Sequence, residues 1–183
     1  VGLSVVNALS SKLNVEIIKN NNTYSQKYSK GASIRKGLLK VTGDIVLIQD
    51  ADLEYDPNDY NKLLHPILNN EADVVYGSRF AGAGSTRVLF FWHRIANGLL
   101  TLLSNMKSNL NLTDMECGYK VFKTSAIKSV NLKENRFGFE PEVTIKLAKK
   151  GFIFYEVGIS YHGRNYDQGK KIGIKDAFSA LYC

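Results

Sequence analysis

The chain has 183 residues, 44% of them hydrophobic and 22% charged, with a formal net charge of +7. That composition excludes a disordered or low-complexity protein and suits a single domain over residues 1–183. The positive balance favours anionic partners such as phosphates or an anionic membrane face, and describes equally well a soluble protein with lysine-rich faces. Two distant cysteines, Cys117 and Cys183, and three scattered histidines, His65, His93 and His162, point away from a disulfide framework or a zinc site. No apolar run is long enough to span a bilayer, and no secretory leader pattern is visible.

Along the chain, Val15–Lys19 reads as a strand. Ser29 to Val41 has the apolar spacing of a helix, with Ser29 as cap and Gly43 beyond its end. Asp44–Gln49 is a short apolar run rich in β-branched residues, as expected of a parallel strand covered on both faces. Asp56-Pro57 pairs an N-cap with a proline at the first helical position and opens a helix to about Asn69. Ala72–Tyr76 is the next strand, and Ser85 to about Met106 a long helix. Gly118–Lys123 is a strand, Phe139 to Lys150 a helix stopped by Gly151, Phe152–Tyr161 a strand, and Ile172–Leu181 the start of a last helix. This alternation predicts an α/β layered domain with a mainly parallel sheet and helices on both faces.

Four carboxylates, Asp50, Asp52, Glu54 and Asp56, follow the central apolar strand within seven residues. Like charges this close repel, so something must offset the cost. In open α/β sheets, ligands bind beyond the carboxyl ends of the strands. Asp50, Asp52 and Glu54 share one parity in extended chain, with Ala51 turned the other way. Their hard oxygens suit Mg2+ or Mn2+, which in turn binds the phosphates of a nucleotide. The competing reading has Asp50 and Asp52 merely shaping a turn. Asp56 reads as a helix cap.

Five stretches in order, IVLIQDADLEYDP, DVVYGSRF, TDMECGYKVFK, NRFGFEPEV and ISYHGRNYDQGKKIG, resemble family 2 glycosyltransferases of the dolichyl-phosphate or polyprenyl-phosphate sugar synthase type. The resemblance runs from about Lys30 to the end. It implies a GT-A fold, a nucleotide-sugar donor, a divalent metal, and a polyprenyl phosphate acceptor at the cytoplasmic membrane face. It places the metal on Asp50 and Asp52, with Glu54 as a further ligand. It places the acceptor phosphate on Arg79, with Ser78 beside it and Arg94 as a second contact, and the donor diphosphate under a basic loop carrying Arg164 and Lys170. The family's opening strands, which bind the base and ribose, have no counterpart here. The chain is therefore expected to lack its first strands and any C-terminal membrane helices.

The chemistry of the acceptor decides what else is needed. A sugar hydroxyl requires a general base, whereas a phosphate monoester arrives largely ionised. Cations serve the second case: Arg79, Arg94, Arg164, Lys170 and Lys171. For the first case Glu142 is the one plausible base, and it reads otherwise as a group that favours the start of its helix or orients the sugar. Arg79 reads also as a surface cation, and Arg94 as a solvated or headgroup residue. The run Val88–Trp92 with His93 and Arg94 reads as a membrane-interface patch or as part of a buried helix. Two rivals stand beside the lipid-phosphate transferase: a family 2 enzyme acting on a saccharide hydroxyl, and a non-catalytic remnant. Nucleic acid fits the charge but has no motif behind it.

Overall fold

The computed structural model describes residues 3–8, 13–19, 22–28, 30–50, 54–82, 90–135 and 138–163. The elements in chain order are β1 (Leu3–Ala8), β2 (Leu13–Lys19), β3 (Asn22–Tyr28), α1 (Lys30–Leu38), β4 (Ile45–Asp50), α2 (Tyr60–Leu68), β5 (Val74–Ser78), α3 (Phe91–Ser108), β6 (Lys120–Lys123), α4 (Thr124–Lys128), α5 (Phe139–Lys149) and β7 (Phe154–Gly158). A single 3-10 turn, Pro57–Asp59, leads into α2. The helix expected over 172–181 lies outside the described residues.

Five strands make the main sheet in the order β1-β4-β6-β5-β7. β1 lies parallel to β4, with Leu3 opposite Ile45 and Ala8 opposite Asp50, and β5 lies parallel to β7. β6 runs antiparallel to both β4 and β5. The sheet is therefore mixed, where the apolar runs had suggested a mainly parallel one. A strand buried on both faces carries no mark of its direction, and only the connections set it. Because β6 alone is reversed, Ala8, Asp50, Ser78 and Gly158 all end at one rim, and β6 starts there. β2 and β3 form a separate antiparallel pair, with Lys19 opposite Asn22. The sequence marked only 15–19 of this pair, because β3 (NTYSQKY) is polar.

β4 shows how the layers are made. Val46 and Ile48 join a buried cluster with Ile34 and Leu38 of α1 and Phe139, Val143 and Leu147 of α5. Ile45 and Leu47 join the opposite cluster with Leu63 and Ile67 of α2. Period-2 alternation thus feeds two cores, one on each face. Asp56 caps as expected, its Oδ1 accepting from Asn58 N at 2.9 Å. α3 begins later than its periodicity suggested: Phe90 stands in extended backbone (φ −62°, ψ 135°), and Asn109 ends the helix in the left-handed region (φ 55°). Gly151, at φ +78°, closes α5 where a side chain would be strained.

Candidate functional site

The rim where β4 and β5 end collects most of the buried charge among the described residues. Asp50 is the last residue of β4, and its Oδ2 accepts from Lys30 Nζ at 3.1 Å. Lys30 is the first residue of α1, and its ammonium also pairs with Glu140 Oε1 of α5 at 2.6 Å. Glu140 is nearly fully buried. Burial alone would lower the Lys30 pKa, but the charges of Asp50 and Glu140 outweigh it and raise it. Glu116 and Lys120 complete the cluster. Burial first, then the charge of Glu140, pushes the Glu116 carboxyl up to about 8, although the residue as a whole is only half-buried. Burial lowers the Lys120 pKa, with Lys30 adding to the effect; its ammonium donates to Cys117 O and lies 4.7 Å from the Tyr76 ring centroid. Asp50 Oδ1, Glu116 Oε1 and Glu140 Oε2 are buried without a hydrogen-bond partner. Buried acceptors are almost always paired, so three orphans in one cluster require an explanation.

Asp52 lies outside the described residues. Among the described residues no group of three or more His, Cys, Asp or Glu side chains is arranged to hold a metal. The orphan Oδ1 of Asp50 at the strand end is nevertheless the kind of hard donor a divalent ion takes. Glu54 is engaged elsewhere. Its Oε2 accepts from the Tyr161 hydroxyl at 2.8 Å, and its carbonyl accepts from His162 N. The Tyr161 ring packs at a tilt against Tyr55, with centroids 5.5 Å apart, and the Tyr55 hydroxyl accepts from Gly118 N at 2.9 Å.

The second half of the rim is built on Arg79, just after β5. Its Nε and Nη2 donate to the two carboxylate oxygens of buried Asp114, each at 2.7 Å, and its backbone N–H donates to the same group. Asn97 of α3 bridges the pair. Glu156 of β7 accepts from the backbone of Thr113 and Asp114 and fixes their turn. Arg94, exposed on α3, places its guanidinium 3.5 Å from the Phe80 ring centroid, and Arg79 lies 5.4 Å from the same ring. The two arginines named from sequence are therefore neighbours around one aromatic ring. Ser78 is buried, and its Oγ accepts from Phe80 N and Ala81 N, which makes it the former of the turn that aims Arg79. Arg164 and Lys170 lie outside the described residues.

Glu142 is also occupied. Its carboxylate accepts from the backbone N–H of Lys133 and Glu134 and pairs with Lys146 at 2.5 Å. Burial works to raise its pKa, but these hydrogen bonds prevail and lower it. A carboxyl held low is a weak base. Asp114, Glu116, Lys120 and Glu140 stand in stretches that carry the resemblance but were given no role there, and Lys30 and Glu156 carried no spacing signal, because the partners of Lys30, Asp114 and Glu156 stand far away in sequence. A cavity of about 540 Å³, lined by Asp44, Ile45, Ile67 and Lys123, lies at the opposite end of β4 from Asp50.

α3 turns its chemistry inside out. Thr101 and Ser104 are its buried residues. Phe91, Trp92, Ile95, Leu99, Leu102 and Met106 are exposed, Trp92 at 75% and Met106 at 73%. Val88, part of the expected interface patch, lies outside the described residues. No helix among the described residues is long and apolar enough to cross a membrane.

The family described as "Glycosyl transferase family 2" matches residues 6–130, more than half of the chain. The chain is 26% identical over 164 residues to the UDP-N-acetylglucosamine–dolichyl-phosphate N-acetylglucosaminyltransferase of Methanococcus voltae, covering 87% of this chain and 65% of that one. It is 26% identical over 139 residues to the undecaprenyl-phosphate mannosyltransferase of Micrococcus luteus, covering 71% and 54%. Among solved structures it is similar to glucosyl-3-phosphoglycerate synthase from Mycobacterium tuberculosis in complex with Mn2+ and UDP-glucose. The TM-score is 0.58 and the identity 19%, over 76% of this chain and 48% of that one. At that identity the likeness bears on the fold, which is of the GT-A kind.

Proposed function

Because the chain belongs to glycosyl transferase family 2, we propose that it is the catalytic part of an inverting enzyme that moves a hexose from a nucleotide-sugar donor to a polyprenyl phosphate. Relatives named for dolichyl and undecaprenyl phosphate support that acceptor class. The observation that carries the reading is the convergence of Arg79 and Arg94 on Phe80 at the end of β5, while Glu142 is tied to backbone N–H groups and Lys146. A rim with cations and an occupied base suits a nucleophile that arrives ionised. It suits a sugar hydroxyl poorly, because Glu142, the base considered among the described residues, is already engaged.

Arg94 is the exposed charge that receives the acceptor phosphate, and Arg79, locked by Asp114, is the rigid anchor beside it. One phosphate oxygen attacks the anomeric carbon, the bond from that carbon to the diphosphate breaks, and the configuration inverts. Asp50 and Asp52 would hold Mg2+ or Mn2+, which supplies positive charge for the diphosphate. Arg164 and Lys170 are assigned to the same leaving group on the sequence resemblance. The exposed face of α3, continuous with Arg94, lies at the membrane interface that holds the acceptor, where aromatic, aliphatic and basic side chains are favoured together.

The test is an assay with UDP-glucose and GDP-mannose against a short-chain polyprenyl phosphate and, separately, oligosaccharide acceptors. Transfer to the lipid phosphate alone is expected, with at least a tenfold loss on Arg94→Ala, the order of one charge-assisted contact worth about 1.5–3 kcal/mol. Transfer only to saccharides rejects this reading in favour of the hydroxyl-acceptor enzyme.

A further inference from the structure

Lys30 joins three segments that are distant in sequence: the start of α1, the end of β4 and the start of α5. Its side chain is 9% exposed, and the two carboxylates it touches are 17% exposed for Asp50 and 1% for Glu140. Its partners leave it no freedom. Asp50 is confined from a second side as well. Gly118, in the segment entering β6, packs so closely that an added Cβ would collide with Asp50 Oδ2. The same oxygen is thus gripped by an ammonium and shut in by a residue without a side chain. Asp50 Oδ1 is the oxygen left over, buried and without a hydrogen bond.

We infer that Lys30 is the positioning residue of the donor-side carboxylate. Its ammonium, anchored on Glu140, holds Asp50 Oδ2 against Gly118, so that Oδ1 is the oxygen available to a divalent cation. This rests on the proposed reading of Asp50 as a metal ligand and adds how that ligand is oriented. Lys30 touches neither donor nor acceptor in this role. Glu140 serves as the fixed counter-charge, since an ammonium pulled by Asp50 alone would swing with it. Partners that orient a metal ligand in this way commonly change metal affinity about 10–100-fold when removed.

The measurement is calorimetric titration of Mn2+ in the presence of UDP or GDP, run alongside thermal unfolding. Lys30→Met is expected to weaken Mn2+ binding by about 10–100-fold. Gly118→Ala, which displaces the same oxygen by bulk, is expected to weaken it in the same direction. Lys30→Arg, which keeps the charge, should fall between Lys30→Met and the unaltered protein. In the Asp50→Asn background Lys30→Met should cost nothing further, because the two act as one unit. If Lys30→Met and Gly118→Ala lower the melting temperature yet leave Mn2+ affinity unchanged, the lysine is only structural and the inference is overturned. Should Lys30→Met fail to fold, Gly118→Ala and Lys30→Arg decide the matter by the same affinity. If the unaltered protein shows no Mn2+-dependent nucleotide binding, the functional reading itself falls and the inference with it.

Discussion

Between Asp114 and Arg79 a single ion pair fixes the direction of the chain after β5. Two 2.7 Å hydrogen bonds in bidentate geometry hold an arginine that is charged at every accessible pH. Breaking a buried pair of this kind typically costs about 3–5 kcal/mol, because the remaining charge is left alone. Removing Arg79 would thus mix stability with any loss of the proposed acceptor contact, and Arg94 is the cleaner probe of that proposal. Glu116 yields a prediction of a different sort. Its carboxyl is pushed from an ordinary 4.5 up to about 8 by burial and by Glu140, against the pull of Lys120, Lys30 and Arg79. Between those values the folded protein keeps a proton that the unfolded chain releases. Its contribution to stability is therefore full below about 4.5 and is lost as pH rises through about 8. Glu116→Gln should flatten the urea midpoint against pH across that window. Parallel profiles for the two proteins would show that Glu116 ionises freely.

Among the helices and strands, α3 is the anomaly. A surface helix ordinarily buries its apolar stripe. This one buries Thr101 and Ser104 and leaves Trp92, Ile95, Leu99 and Met106 outside. Replacing those four with serine should leave the melting temperature nearly unchanged, since exposed positions typically matter by less than about 0.5 kcal/mol each. Binding to vesicles of anionic lipid should fall sharply, because fully burying one such side chain is worth about 1.5–3 kcal/mol. Equal vesicle binding by the two proteins would remove α3 from the membrane. The extent of α3 also shows what periodicity misses. The aromatic run before it continues the helical spacing, yet Phe90 is extended, and the first turn is closed by Arg94 N donating to Phe90 O at 3.1 Å.

Across the full sheet, mixed strand direction explains why one rim holds the candidate site. Four strands run the same way, so Asp50 and Ser78 end together, and reversed β6 brings Asp114, Glu116 and Gly118 to that rim just before it begins. Opposite charges then meet there from α1, α5, the strand ends and the segment before β6. The net charge of +7 makes a further outcome testable. Association with anionic vesicles should weaken as salt rises, since the screening length falls to about 8 Å at physiological ionic strength. Turnover should stop on addition of a chelator and return with Mn2+ or Mg2+. Turnover that persists in the chelator would dissociate Asp50 and Asp52 from any metal role.

Local pattern was enough for β4, for the Asp56–Pro57 entry to α2, for β5 and for α5, because alternation, caps and punctuating glycines act over a few neighbours. It was enough also for the family, since five short stretches stand in the right order. It singled out Asp50 at the end of an apolar strand, while Arg79 and Arg94 were named by the family resemblance. What it left open was decided by contacts across the chain: the reversal of β6, the pairing of Lys30 with Asp50 and Glu140, and the locking of Arg79 by Asp114. Ionic and hydrogen-bonded partners are chosen by distance in space, and a lysine twenty residues from its aspartate leaves no period for a sequence to show.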